Sequence, residues 1–220
     1  MASIGAMSFK RTVAVAAAAA ALGSVFWQPV AASADAPAAV DLWTVPSAPV
    51  DSATLIVAYS FGNRIPAGAD PARDIGEPGP VNEALAAAVV TARGDLGTPV
   101  YAQTEIAEVL RARYGMTDVI SIDPTRKADG TLVYLSTDGV AAAVAESRGP
   151  AVASDAVAVV AFQDHLWRAT RTTAARGFRA FAPAGVAMPN QYDPQSGQLW
   201  TTSPALYLPT DFAGRLALLK

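Results

Sequence analysis

Short apolar runs alternate along the chain with longer segments in which apolar positions recur every three or four residues. The apolar runs predict five strands, at residues 53–59, 98–102, 118–122, 156–162 and 178–183. The longer segments predict helices at residues 81–93, 137–146 and 205–219, and after Thr104 and Asp164. Because strands alternate with helices, the pattern predicts one α/β domain over residues 53–220, in which helices flank a mainly parallel sheet.

The most informative stretch is residues 156–177. It begins with a valine-rich run, which is typical of a strand buried on both faces. A polar turn follows, and Asp164 can cap the helix after it. The only histidine, His165, lies at this turn, and Arg168 follows three residues later on nearly the same helical face. Two interpretations stay open on these residues alone: a functional pair, or two solvated residues of a first helical turn.

The predicted topology brings polar residues of several segments together. In a parallel sheet all carboxyl ends lie along one edge, where ligands of open α/β sheets usually bind. The residues that follow the strands or begin a crossover helix there are Gly62, Asn63, Arg64, Gln103, Glu105, Thr137, Asp164 and His165. Helix N-termini together with Arg64 and Arg168 favour an anion, most simply a phosphate.

Two segments rich in proline have predicted roles outside the core. Residues 35–52 read as a linker that leads into the domain. Residues 60–80 contain several glycines and prolines directly after the first strand. A loop of this length inside a domain is usually functional, and we expect a lid over the ligand cleft.

The first 34 residues have the pattern of a signal peptide. Lys10 and Arg11 precede an apolar, alanine-rich segment at residues 12–27, and Ala32-Ser33-Ala34 is a small-x-small cleavage site. We therefore expect export, to a periplasmic, cell-wall-associated or extracellular location. The alternative is an N-terminal segment that stays uncleaved as an anchor and keeps the protein close to a membrane.

Composition excludes several classes of function. Of 220 residues, 16 are Lys or Arg and 19 are Asp or Glu, and no basic patch predicts nucleic-acid binding. The absence of cysteine excludes disulfides and thiolate metal sites, and one histidine leaves little for a histidine metal site, although a carboxylate-only site stays open. No Gly-x-Gly-x-x-Gly follows the first strand, so we predict no nucleotide cofactor. Ser60 lacks the glycine of a nucleophile elbow, which argues against a serine hydrolase.

Three motifs resemble those of the YdcF/SanA/ElyC-like proteins. Residues 159–169, VVAFQDHLWRA, are similar to the family's strand followed by His-x-x-Arg-Ala. Gln103-Thr104-Glu105 is similar to its Ser/Thr-Glu pair, and residues 135–138 to its Ser/Asn-Thr helix start. The resemblance covers about residues 53–185. The family's Gly-Gly pair after the first strand is reduced to Gly62, and its Glu-Asn pair in the later helix is replaced by glycine and valine.

The resemblance implies a three-layer Rossmann-like domain with a role in cell-envelope integrity or synthesis. It suggests a protein that acts on or binds a phosphorylated or glycosylated envelope precursor; the alternative is a non-catalytic ligand-binding or scaffold protein. In the enzymatic case His165 would be the general acid/base and Glu105 would orient His165 or a water. Arg168, helped by Arg64, would hold the anion. As both members of the His-x-x-Arg motif are expected at the surface, Arg168→Ala should change stability by no more than about 1 kcal/mol.

Overall fold

The computed structural model describes residues 41–219, and its main sheet contains six parallel strands. These are β1 (Ser47–Ala48), β2 (Leu55–Ala58), β3 (Val100–Gln103), β4 (Ile120–Ile122), β7 (Ala156–Val160) and β8 (Arg179–Pro183). Their spatial order is β1-β8-β7-β2-β3-β4. An antiparallel pair, β5 (Thr125–Arg126) and β6 (Leu132–Val133), forms a separate hairpin.

Within residues 41–219, five α-helices connect or follow the strands: α1 (Gly79–Arg93), α2 (Thr104–Tyr114), α3 (Thr137–Arg148), α4 (Leu166–Ala175) and α5 (Pro204–Ala217). Short 3-10 helices lie at Val50–Ser52, Gly149–Ala153, Gln163–His165 and Leu199–Thr201. Ser136 caps α3 by accepting a hydrogen bond from the backbone N–H of Gly139.

Helices cover both faces of the sheet. Successive residues of a strand point to opposite faces, and all four residues of β2 are fully buried. Ile56 and Ala58 belong to a core with α1 and α2, whereas Leu55 and Val57 belong to a second core with α3 and α4. The expectation of a three-layer, Rossmann-like α/β fold is thereby confirmed.

Two pieces of the sheet structure lie where the sequence predicts none. The described part of the predicted linker contributes β1, whose neighbour Pro46 accepts a hydrogen bond from the N–H of Ala182 at 2.8 Å. The reason is that β8 would otherwise leave its outer backbone groups unpaired. Similarly, the β5–β6 hairpin lies within residues 123–134, between a predicted strand and a predicted helix.

The predicted signal peptide, residues 1–34, lies outside the described residues. Within residues 41–219, no helix is long and apolar enough to cross a membrane.

The order of the strands places a crevice at one point of the sheet edge. Strands β3 and β4 lie one after the other on one side of β2. The chain then crosses back to β7, which pairs with the other side of β2. Their connecting helices therefore lie on opposite faces, and the segments that follow β2 and β7 diverge. Ligands of open α/β sheets bind beyond the strands' carboxyl ends at such a switch point.

Candidate functional site

A cleft of about 530 Å³ opens beyond the carboxyl ends of β2 and β7. Its walls come from the segment after β2, the end of β3, the start of α3, the turn after β7, the loop at residues 197–201, and α5. Six of the residues that the sequence predicts for a site line it: Gly62, Asn63, Gln103, Thr137, His165 and Arg168. The other three, Arg64, Glu105 and Asp164, do not line this cleft.

Arg168 is held at the cleft by three hydrogen bonds. Its Nε donates to Asp211 Oδ1 at 2.8 Å, its Nη1 to Thr137 Oγ1 at 2.8 Å, and its Nη2 to the Tyr207 hydroxyl at 3.0 Å. Thr137 begins α3, while Tyr207 and Asp211 belong to α5. The Arg168 guanidinium therefore links the starts of α3 and α4, which pack on the same face of the sheet, to the C-terminal helix α5.

His165 lies behind this guanidinium as a neutral imidazole. Its Nδ1 lies 2.7 Å from the Tyr207 hydroxyl and its Nε2 lies 3.4 Å from Thr137 Oγ1. Burial, helped by the charge of Arg168 and opposed by Asp211, lowers the pKa of His165 from 6.5 to about 4. An imidazole with this pKa is a weak base at neutral pH.

Asp211 is the centre of the charged cluster. Its Oδ2 accepts from Nε of Arg215 at 2.6 Å, while its Oδ1 accepts from Arg168. Burial alone would raise the pKa of Asp211, but the neighbouring His165, Arg168 and Arg215 more than offset this and hold it well below its usual range. The carboxylate is therefore ionised under all physiological conditions.

The expected surface position of His165 and Arg168 is wrong. His165 is 5% exposed, and the Arg168 side chain is 21% exposed. Helix α5 covers the turn after β7, and this covering is the physical reason for the difference. Arg168 is consequently part of a largely buried ion pair, so that its replacement by alanine should destabilise the fold, contrary to the expectation from sequence.

The opposite wall is formed by the segment after β2, under the loop at residues 196–201. Gly62 has a φ of 71°, and a side-chain Cβ there would lie 2.5 Å from Ser196 Oγ. Asn63 is buried and donates to the Tyr134 hydroxyl at 3.1 Å. The Gln103 side-chain oxygen accepts from the backbone N–H of Ser60 at 2.9 Å. These contacts fix the backbone along one side of the cleft.

Arg64 does not join the expected anion site. Its backbone forms a bridge with Glu77, and its guanidinium makes two hydrogen bonds with Asp193, at 2.8 and 3.1 Å. The side chain lies in a separate groove between α1 and α2. The proposed helper role of Arg64 therefore has no geometric support.

Asp164 and Glu105 do not make the contacts that the sequence predicts for them. Asp164 does not cap α4, because the 3-10 turn Gln163–His165 intervenes, and its carboxylate accepts from the Tyr192 hydroxyl at 2.5 Å. Glu105 is buried in the first turn of α2, and His165 is bonded by Tyr207 rather than by Glu105. Burial raises the pKa of Glu105 to about 7, although its own N–H and the Ser60 side chain oppose the shift.

Sequence reasoning missed the three residues of α5 that complete the cluster. Tyr207, Asp211 and Arg215 are spaced four residues apart and are all buried. This spacing places them on one side of the helix. Three polar residues at i, i+4 and i+8 in a largely apolar segment were the available signal.

The donor set of this site suits hydrogen bonding to a ligand better than metal binding. Among residues 41–219, no group of three or more His, Cys, Asp or Glu side chains could hold a metal ion. The cleft offers a guanidinium, hydroxyls and amides, together with the face of Trp200. Such a mixture of aromatic surface and a few convergent polar groups is typical of small-molecule sites.

The fold and the site define a Rossmann-like α/β domain with a ligand-sized cleft at its switch point. No protein-family model, curated protein or solved structure matched this chain. The resemblance to the YdcF/SanA/ElyC-like proteins therefore stays a prediction from the motifs.

Proposed function

We propose that this protein is an exported cell-envelope protein that binds a small phosphorylated or glycosylated envelope precursor in the cleft beyond β2 and β7. The observation that carries the proposal is the position of Arg168. Its guanidinium lines the cleft, and its orientation is fixed by Asp211, Tyr207 and Thr137.

The guanidinium keeps donors for a ligand. A guanidinium carries five N–H groups, and three of them are donated to the residues just named. The others remain for an anion, which arginine binds with charge-assisted hydrogen bonds. With two arginines, one aspartate and a neutral histidine, the cluster has an excess of one positive charge. This excess supports binding of an anion.

The start of α3 adds a second favourable element. Ser136 and Thr137 line the cleft at the N-terminus of this helix. The partial positive charge of a helix N-terminus favours a phosphate. Trp200, which is 51% exposed at the cleft, offers an aromatic face to a sugar or to another apolar part of the ligand.

The environment of His165 favours binding over acid/base catalysis. A general base works best when its pKa lies near the working pH. The pKa of about 4 and the burial of His165 oppose this role. The ring instead supports the Tyr207 hydroxyl, which in turn accepts from Arg168. The envelope role itself rests on the motif resemblance and on the expected signal peptide.

Calorimetric titration tests the proposal. The ligands are inorganic phosphate, a sugar 1-phosphate, a polyprenyl phosphate and the unphosphorylated sugar. We expect binding of at least one phosphate compound. Arg168→Lys should weaken it roughly 10- to 150-fold, since a charge-assisted hydrogen bond contributes about 1.5–3 kcal/mol. Lysine keeps a cation beside Asp211, which limits the loss of folding stability.

The matched control is Arg113→Ala, which removes an exposed arginine of α2 that pairs with Glu83 of α1. It should leave affinity unchanged. Circular dichroism establishes that each variant is folded at the assay temperature. Equal affinity for the phosphorylated and neutral sugars, or unchanged affinity in folded Arg168→Lys, would refute the anion site. Release of inorganic phosphate or another product would show turnover and contradict a purely binding role.

A further inference from the structure

Helix α5 buries its large polar side chains and exposes its large apolar side chains. Its buried residues are Tyr207, Asp211 and Arg215. Its exposed large side chains are Leu206, Leu208, Phe212 and Leu216, each 43–45% exposed. A surface helix of a globular protein normally has the opposite arrangement.

The exposed side chains form a continuous stripe. Leu208, Phe212 and Leu216 are spaced four residues apart, so they lie one above another along the helix. Trp43 extends the stripe, because its ring stacks on Phe212 with centroids 6.4 Å apart and is 73% exposed. Contiguous exposed apolar surface of this kind marks a site of association. We call Leu208, Phe212 and Leu216 the outer face of α5.

Residues 41 and 42, the first two that the structure describes, contact the domain beside the outer face. The backbone oxygen of Leu42 accepts from Nη1 of Arg215 at 2.6 Å, and that of Asp41 accepts from Nε1 of Trp167 at 3.1 Å. Residues 1–40 precede this point and include the apolar run at residues 12–27. Whether a cell cleaves that run or retains it, the run is handled at a membrane.

Few charges surround the outer face, and they nearly balance. The one acidic residue of α5, Asp211, is buried under the helix. Arg171 is exposed and lines a shallow groove with Leu218 and Leu219, and the exposed carboxylate of Asp41 lies near enough to interact with its charge. Helices that lie on membranes present an apolar stripe to the bilayer, and tryptophan is enriched at that interface.

We infer that the outer face of α5, together with Trp43, docks on the surface of a lipid bilayer. The apolar side chains enter the boundary between head groups and acyl chains, with Trp43 at the level of the head groups. This inference is independent of what the cleft binds. It differs from a membrane-spanning anchor, because it uses the folded domain and not the N-terminal segment.

Site-specific fluorescence on the full chain tests the inference. As the chain has no cysteine, Leu216→Cys accepts one environment-sensitive fluorophore, and Thr91→Cys on the exposed part of α1 carries the matched label. The probe is a vesicle of phosphatidylethanolamine and phosphatidylglycerol. We expect a blue shift at position 216, quenched by spin labels attached to the lipid acyl chains, and no shift at position 91.

A pair of charge variants separates docking from insertion of the N-terminal segment. Leu208→Asp combined with Phe212→Asp should reduce the fraction of position-216 label in the lipid environment roughly tenfold or more. Leu96→Asp, at a residue 52% exposed beyond α1, should leave it unchanged. Melting curves verify that the variants are folded. An unshifted label at 216 would overturn the inference. So would a blue shift that needs no vesicles and grows with protein concentration, which would assign the face to a second copy of this chain.

Discussion

Glu105 and His165 should make opposite contributions to the pH dependence of folding stability. Burial raises the pKa of Glu105 from 4.5 to about 7. Between these pH values the folded state keeps a proton that the unfolded state has released. Because the unfolded state then binds fewer protons, the free energy of unfolding falls as pH rises. The stabilising contribution of Glu105 is full below pH 4.5 and is lost as pH rises through about 7.

His165 has the reverse sign. Burial lowers its pKa from 6.5 to about 4. Between these values the unfolded state carries the proton and the folded state does not, so the free energy of unfolding rises with pH. The contribution is full above pH 6.5 and is lost as pH falls through about 4. The two effects therefore overlap, with opposite slopes, between pH 4.5 and 6.5.

The magnitude follows from proton linkage. One proton of difference gives a slope of about 1.4 kcal/mol per pH unit. Each group is displaced by about 2.5 pH units, from 4.5 to about 7 for Glu105 and from 6.5 to about 4 for His165. Each therefore contributes on the order of 3 kcal/mol across its full range. In the overlap the two slopes cancel in the wild-type protein.

Urea unfolding at several pH values between 4.5 and 6.5 measures these slopes. Glu105→Gln removes the slope that Glu105 contributes and keeps the opposite slope of His165. The free energy of unfolding should therefore rise by about 1.4 kcal/mol per pH unit relative to wild type. His165→Gln should give the same slope with the opposite sign. The double variant should return to the wild-type slope, although its stability is lower throughout. The reasoning fails if either single variant keeps the wild-type slope, or if both shift in the same direction.

Four further outcomes are expected. Arg168→Ala should lower the free energy of unfolding by about 3 kcal/mol in urea, since it leaves a buried carboxylate with one arginine fewer, whereas Arg113→Ala should lie within about 0.5 kcal/mol of wild type. Gly62→Ala should destabilise by about 2 kcal/mol or more, because φ is 71° and the added Cβ would meet a hydroxyl oxygen at 2.5 Å; an unchanged melting curve would contradict this. Mass spectrometry of the exported protein should show Asp35 as its first residue, and a chain that still begins near Met1 would contradict cleavage. A phosphate ligand should slow proteolysis within residues 60–80, and equal rates with and without a bound ligand would count against a lid.

The two central strands could be predicted closely because each is a continuous apolar run. The run at residues 156–162 becomes β7, and that at residues 53–59 contains β2, both fully buried. A strand of two residues has no such pattern. Ser47 and Ala48 lie between prolines, and what makes them a strand is the unpaired edge of β8, which is far away in sequence. Pairing of that kind cannot be predicted from local periodicity.

The candidate site could be predicted to the extent that strand ends determine it. Segments after β2, β3 and β7 do converge, because they follow parallel strands. The direction of each side chain was not predictable. Arg64 follows the same strand as Asn63, but its bridge with Glu77 directs its guanidinium to Asp193, outside the cleft. Neither Glu77 nor Asp193 directly follows a strand, so the sequence pattern does not indicate that either contacts Arg64.

The orientation of α5 shows how buried charge can override apolar burial. Rotation by half a turn would bury Leu208, Phe212 and Leu216, and the exposed fraction of each is 43–45%. Full burial of such a side chain contributes about 1.5–3 kcal/mol, so the gain would be roughly 3 kcal/mol in total. The same rotation would remove Asp211 from Arg168. Removing one partner of a buried ion pair costs about 3–5 kcal/mol, and His165 would also lose the Tyr207 hydroxyl. The buried charges therefore determine which face of α5 packs inward, and the apolar residues are left outside.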